Sequence, residues 1–183
     1  EMLEGVRAAA YESIAYLELG LARAAITAIR LQIELMLGYT YFRDHPAELA
    51  RVARTGDGFM AVAEVEKYHR DVIPGMQTRV ARLESAKLES VRGVYRLLSA
   101  HVHGQSSLTM PKGDSLHSLV CSKQRIDEVV ALQRRAGRAI SNYLVAAYAE
   151  SWPDLPEKAV ANVRRALSPK ALAGFFDDST APD

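Results

Sequence analysis

Three side chains near the middle of the chain, Arg96, His101 and His103, have the residue types needed for acid–base chemistry beside a phosphate. An imidazole gains and loses a proton near neutral pH, so it can act as a general base or a general acid. A guanidinium stays charged and can hold a phosphate through two parallel hydrogen bonds, which stabilises negative charge as it develops. The chemistry that these residues indicate is proton transfer next to a bound phosphate.

The spacing of these residues predicts which histidine shares a helix face with Arg96. His103 follows Arg96 by seven residues, which is two turns and about 20° out of alignment at 3.6 residues per turn. The small residues Ser99 and Ala100 lie between them, so a phosphate or ribose can bridge the gap. His101 is about 140° from Arg96. We therefore expect His103 to be the functional histidine, with His101 as the alternative because helix ends often lose regular geometry.

One long amphipathic helix, from Met76 to about Val102, is expected to carry these residues. Gly104 is a natural C-terminal cap for it. Its polar residues recur at steps of three and four, which places them on one face. A polar face is also typical of an ordinary solvated helix, and a histidine near a helix C-terminus interacts favourably with the helix dipole without any catalytic role. The polar residues are Arg82, Ser85, Glu89, Arg92, Arg96, Ser99 and His103.

Helical periodicity dominates the rest of the sequence, and no segment alternates apolar and polar residues as a strand does. We predict an all-α fold: an up-down bundle of long helices with short helices at its periphery. One domain is expected over residues 1–176, followed by a flexible acidic tail at 177–183. The predicted helices are 3–42 with a possible break at Gly20, 47–54, 59–72, 76–102, 124–150, 157–167 and 169–175.

The composition excludes several classes of protein. With 23 Lys and Arg against 22 Asp and Glu, and 49% hydrophobic residues, the 183-residue chain is too apolar to be disordered and too evenly charged for a histone-like binder. No apolar run reaches the roughly 18–20 residues that cross a bilayer, so we expect no membrane partner. The single Cys121 cannot form an internal disulfide, which favours a reducing, cytoplasmic location. We expect no metal or other cofactor, because the other histidines lie on separate segments without ligand spacing: His45, His69 and His117.

The segment from Tyr95 to Gly104 resembles the signature of the HEPN superfamily (higher eukaryotes and prokaryotes nucleotide-binding domains). That signature is an Arg, four to six residues and then a His, at the end of a long helix in an α-helical bundle. Arg96 and His101 are separated by four residues, and Arg96 and His103 by six. The resemblance covers about residues 10–150, because three N-terminal stretches look like the first half of bacterial members: Arg23-Ala-Ala-Ile, Arg30-x-x-x-Glu34 and residues 41–48.

The resemblance implies a metal-independent endoribonuclease of bacterial phage defence or of a toxin–antitoxin pair. The imidazole would take a proton from the ribose 2′-OH or protonate the leaving oxygen, and cleavage would leave a 2′,3′-cyclic phosphate. RNA would be the substrate, an antitoxin or defence-system protein a partner, and a homodimer would place two Arg/His sites in one cleft. Arg82 and Arg92 would extend the positive track, Ser99 would hydrogen-bond phosphate or water, and Glu89 would orient Arg92 or Arg96 or form a surface ion pair.

Two other functions stay open. Many catalytic HEPN members carry a polar residue, often Asn, directly after the Arg, whereas Leu97 stands here. The superfamily also has non-catalytic members, so the alternative is a helical domain that binds a nucleotide, RNA or protein partner through the same face. A third possibility is an effector-binding and dimerisation domain like those of transcription regulators, which predicts a closed apolar pocket inside the bundle.

Two further features of the sequence, a basic stripe and a pair of phenylalanines, each allow two interpretations. The helix predicted at 124–150 carries a basic stripe that fits either an RNA-backbone track or a solvated face balanced by the acidic tail. Phe175 and Phe176 are expected either to anchor an interface or to cap the bundle.

Overall fold

The computed structural model describes residues 2–56, 61–105, 109–110 and 122–176. All regular secondary structure in these ranges is helical, which confirms the all-α prediction. The predicted tail at 177–183, Cys121 and His117 lie outside the described residues. The helices are α1 (Met2–Glu18), α2 (Ala22–Asp44), α3 (Pro46–Thr55), α4 (Val62–Val72), α5 (Met76–Ser85), α6 (Val91–His103), α7 (Lys123–Ala147), a 3-10 helix (Ala149–Asp154), α8 (Glu157–Ala166) and α9 (Pro169–Leu172).

Helices α1 and α2 form a hairpin because the chain breaks at Gly20, whose φ of +75° suits glycine. The two helices pack closely: a Cβ atom added at Gly5 would lie 3.2 Å from Leu35. A buried polar contact joins this hairpin to α7, where the Gln32 amide donates to the Gln133 side chain at 3.0 Å. This contact therefore ties α2, and with it the hairpin, to α7.

The single helix predicted over 76–102 is wrong, because α5 ends at Ser85 and α6 begins at Val91. The chain turns at Lys87, whose φ of +57° is incompatible with a continuous α-helix. Ser90 then caps α6, since its hydroxyl oxygen accepts a hydrogen bond from the Gly93 backbone N–H at 3.2 Å. The predicted polar stripe is therefore divided between two helices and their connection.

The core lies where α2 packs against α1, α6 and α7. Ile29 and Ile33 of α2 and Val94 and Leu98 of α6 have no exposed surface. These apolar side chains on one side of α6 leave its opposite side to solvent.

A buried histidine lies in the core, where α4 meets α7. His69 is 0% exposed, its Nδ1 atom lies 2.7 Å from the Tyr143 hydroxyl, and its Nε2 atom has no hydrogen-bond partner among the described residues. Burial lowers the pKa of His69 to about 4, so the imidazole is neutral at physiological pH.

The C-terminal segment, residues 168–176, closes one end of the bundle. Phe175 is 0% and Phe176 4% exposed, which confirms the capping interpretation of this pair. The buried Arg79 of α5 holds the segment, because its Nε donates to the Phe175 carbonyl at 2.9 Å. Arg164 lies over the Trp152 ring, with its Cζ atom 4.3 Å from the ring centroid.

Candidate functional site

Helix α6 presents four polar side chains on its solvent side, here called the Arg96 face: Arg92, Arg96, Ser99 and His103. The helix is regular from Val91 to His103, so the seven-residue step from Arg96 to His103 corresponds to a rise of roughly 10.5 Å. Arg92, Arg96 and His103 are exposed and Ser99 is half-buried. The two residues that the sequence placed together thus share one accessible face.

Helix α2 supplies charged and hydrogen-bonding partners along one edge of this face. The Arg30 Nη1 atom lies 3.2 Å from the His103 Nε2 atom. The Arg30 Nη2 atom forms an ion pair with Glu34 at 2.9 Å, and the Tyr95 hydroxyl donates to the same carboxylate oxygen at 2.7 Å. The Arg30 Nε atom also lies 3.2 Å from the Tyr95 hydroxyl oxygen. We call Arg30 and Glu34 of α2, together with Tyr95 of α6 that bonds to them, the α2 edge.

The contact with Arg30 bears on which ring nitrogen of His103 carries the proton. A guanidinium has donors and no acceptor, so this contact is a hydrogen bond only when the His103 Nε2 atom accepts, and the ring proton then lies on Nδ1. Partial burial lowers the pKa of Arg30, but the hydrogen bond and charge of Glu34 outweigh it and raise that pKa overall, so Arg30 stays charged. In this arrangement the His103 Nδ1–H is left as a donor with no partner among the described residues.

The C-terminal end of α6 is held by α2 as well. The Arg23 side chain donates to the Val102 carbonyl, one of the last carbonyls of the helix that have no partner within it. Gly104 adopts the left-handed conformation, and its N–H donates to the Ala100 carbonyl, as the sequence predicted for the helix cap. These contacts fix the backbone on both sides of His103.

His101 lies on a different side of α6 from Arg96, about 140° away around the helix. Its Nδ1 atom is 3.4 Å from an Arg125 nitrogen of α7, and Arg125 pairs with Glu128 at 2.6 Å. Burial and then the charge of Arg125 lower the pKa of His101, which favours its neutral form. The structure brings His103 rather than His101 to the face that carries Arg96.

Arg82 and Ser85 are not on the Arg96 face, because both belong to α5. The Arg82 Nη1 atom donates to the Ala171 carbonyl of the C-terminal segment at 2.9 Å. The expectation that Arg82 extends the same helical stripe is therefore wrong: the turn at Lys87 interrupts the periodicity on which it rested.

Of the two roles expected for Glu89, the ion pair is the one that the structure shows, and the orienting of Arg92 or Arg96 is wrong. Glu89 lies in the connection before α6 and forms two contacts with Arg135 of α7, at 2.8 Å to Nε and 3.2 Å to Nη2. Arg138 also approaches Glu89, at 4.0 Å. Glu89 thus neutralises part of the positive charge of the basic stripe on α7.

Arg96 has no hydrogen-bond or ion-pair partner among the residues that the structure describes. Its neighbour Leu97 packs against the core instead of joining the exposed face. The face can therefore offer an anion a guanidinium that no described residue engages, together with the His103 ring.

Sequence reasoning did not identify the α2 edge as part of the site. Arg23, Arg30 and Glu34 recur at steps of seven and four, which does place them on one side of a helix. That signal does not say which other helix the side faces, and no local spacing pairs Tyr95 with Glu34. The contact is non-local, since Arg30 and His103 are 73 positions apart.

Within the described residues, no group of three or more His, Cys, Asp or Glu side chains is arranged to hold a metal ion. The described helices also include none that combines the length and apolar character needed to span a membrane. Comparisons of the chain with protein-family models, with curated proteins and with solved structures found no match.

Proposed function

We propose that the protein is a metal-independent endoribonuclease of the HEPN type, with Arg96 and His103 as its catalytic residues. The observation that carries the proposal is that an exposed guanidinium, without a partner among the described residues, shares one helix face with an exposed imidazole, at the Arg–His spacing of that superfamily. The α2 edge supports it further, because a tyrosine and a glutamate hold a second arginine, Arg30, next to the His103 Nε2 atom.

The proposed reaction is attack of the ribose 2′ oxygen on the adjacent phosphorus. Arg96 binds the non-bridging phosphate oxygens and stabilises the charge that develops there. Arg30 turns from the His103 Nε2 atom to the incoming phosphate, and Nε2 then accepts the 2′-OH proton. The bond to the 5′ oxygen breaks, that oxygen takes the proton back from the His103 imidazolium, and the products are a 2′,3′-cyclic phosphate and a free 5′-OH.

The other polar residues of the Arg96 face serve to hold the RNA backbone. Arg92 lies one turn before Arg96 and is exposed, so it extends the positive surface by one phosphate contact. Ser99 lies between Arg96 and His103 and supplies a hydroxyl to phosphate or water. The resemblance extends the proposal to a homodimer with two such sites in one cleft, a cytoplasmic location, and an antitoxin or defence-system partner.

An RNA cleavage assay in EDTA, with analysis of the product ends, tests the proposal. We expect the wild-type protein to cut single-stranded RNA, and Arg96→Ala and His103→Ala each to lower the rate by about 100-fold or more. His101→Ala is the matched control from the same helix turn, and Arg165→Ala removes an exposed arginine from α8; both should cleave like wild type. Intact RNA with wild-type protein across diverse RNA pools would overturn the proposal.

The second candidate function is RNA or nucleotide binding without cleavage through the same face. It is favoured by Leu97, which packs against the core where many catalytic members carry a polar residue, and by Arg30, which occupies the His103 Nε2 atom. Fluorescence anisotropy with labelled RNA separates the two functions. Binding that weakens in Arg96→Ala and with added salt, without any cut product, identifies the binding domain.

A further inference from the structure

A groove of about 380 Å³ opens to solvent between α2, α7 and α8, away from the Arg96 face. Its volume lies within the roughly 300–1,000 Å³ typical of small-molecule pockets. The lining is mainly apolar and partly exposed, with Met36, Ile140, Leu144, Leu155 and Ala159 among its residues. The groove is open on one side, so it differs from the closed pocket expected of an effector-binding domain.

Gly137 leaves the α7 side of this groove open. It stands in the interior of a 25-residue helix, where glycine is less favourable than alanine. A Cβ atom added at Gly137 would meet nothing within 4 Å, and its φ lies in the ordinary helical range. Neither packing nor backbone conformation therefore requires a glycine at position 137. The open space beside Gly137 belongs to the groove.

Arg43 gives the groove a positive charge at its rim. Its Nε atom donates to Asp44 at 3.2 Å, while its terminal nitrogens have no partner among the described residues. The guanidinium lies over the Tyr148 ring, 4.7 Å from the centroid, and the side chain is 49% exposed. The terminal nitrogens of such a fixed, charged fork suit a carboxylate through two parallel hydrogen bonds.

We propose that this groove binds a small amphipathic carboxylate, with its apolar body against Ile140 and Leu144 and its carboxylate on Arg43. Charge complementarity selects an anion, because Arg43 is the one charged side chain among the described groove residues. Arg43 follows Arg30 by thirteen positions on α2, a rise of roughly 20 Å, so the groove is separate from the Arg96 face. The proposal does not depend on nuclease activity.

Calorimetric titration of the full chain with decanoate and with decanol tests this inference. We expect saturable one-to-one binding of decanoate to wild type. Arg43→Gln should weaken decanoate binding by about tenfold and leave decanol binding unchanged, since it removes the charge and keeps the apolar lining. Gly137→Leu should abolish binding of both, because a Cβ atom at this position meets open space and the longer side chain would occupy the groove. Arg165→Gln is the control for loss of an exposed arginine elsewhere.

Absence of decanoate binding to the wild-type protein overturns the proposal, as does binding that survives Gly137→Leu. Light scattering on the same samples tests whether a second copy of the chain occupies the groove instead. If Gly137→Leu converts a dimer to a monomer and decanoate does not bind, a second copy of the chain covers the groove and the carboxylate site is rejected. Circular dichroism confirms that each variant is folded.

Discussion

Arg79 and Arg96 lie on consecutive helices, yet the fold uses their guanidinium groups in opposite ways. Arg79 is 2% exposed and donates to the carbonyl oxygens of Phe175, Pro74 and Ala146, at 2.9, 3.0 and 3.3 Å. Arg96 is exposed and lacks a partner in the described part of the chain. A buried cation must have its donors satisfied, whereas an exposed one can keep them for a ligand. The contrast distinguishes an arginine that holds the scaffold from one available for binding.

The largest effect on stability is expected at Arg79. Arg79→Ala leaves three carbonyl groups without their donor and loosens the C-terminal segment, so the free energy of unfolding should fall by about 4 kcal/mol. Arg96→Ala should change it by no more than about 0.5 kcal/mol, as for other exposed substitutions. Urea denaturation followed by circular dichroism measures both. Equal losses for the two variants would remove the distinction between them.

The histidines show the same contrast between buried and exposed groups. It can be measured through the dependence of protein stability on pH. The pKa of His69 is about 4 in the folded protein, below the roughly 6.5 of an unfolded chain. As pH falls below 6.5 the unfolded state binds the proton first, so this group costs stability progressively, by about 3 kcal/mol when pH 4 is reached. Urea midpoints from pH 7.5 to 4 should drop less steeply in His69→Gln, which cannot be protonated. Parallel curves would contradict the buried, neutral state of His69.

A smaller effect, on the site alone, is expected at Arg30. Arg30→Ala removes the contact that favours the Nδ1–H tautomer of His103 and a guanidinium that can turn to the phosphate, so the proposed RNA cleavage should slow by about tenfold, and Arg30→Lys should restore part of the rate. The ¹⁵N chemical shifts of the His103 ring provide a readout that does not need activity. They should report the Nδ1–H tautomer in wild type and a shift toward Nε2–H in Arg30→Ala. The Nε2–H tautomer in wild type would refute the positioning role.

The smallest expected effects on stability concern two glycines, whose replacement by alanine should change stability in opposite directions. Gly137→Ala should stabilise the protein by about 0.5–1 kcal/mol, because it improves helix propensity and meets open space. Gly174→Ala should destabilise it by about 1 kcal/mol, because the new Cβ atom would lie 2.8 Å from the Arg82 guanidinium and displace it from the Ala171 carbonyl. Thermal denaturation of both variants measures the difference, and shifts of the same sign would contradict it.

Local patterns predicted much of α6. Its apolar residues recur at helical spacing and Gly104 caps it, so the shared face of Arg96 and His103 followed from sequence alone. The turn before it did not, because Ala86, Lys87 and Leu88 are good helix formers. Ser90, an N-cap residue, is the local signal that marks the true start of the helix.

The partners of the site residues depend on tertiary packing and were harder to predict. Whether Glu89 pairs with Arg92, with Arg96 or with Arg135 is decided by how α7 packs beside the connection, which helical spacing does not encode. The same holds for Arg30, whose position opposite His103 follows from the packing of α2 on α6. Helix faces are local properties, and the pairing of faces is not.

The contact between Arg30 and His103, 73 positions apart, also has a consequence for the order of folding. Contacts of such long sequence separation form after local helices, because closing the intervening loop costs entropy before any contact compensates for it. Helix α6 can thus be complete while its histidine still exchanges between tautomers. During refolding, helical circular dichroism should recover before the fixed state of His103, and an isolated peptide of residues 90–105 should never acquire it.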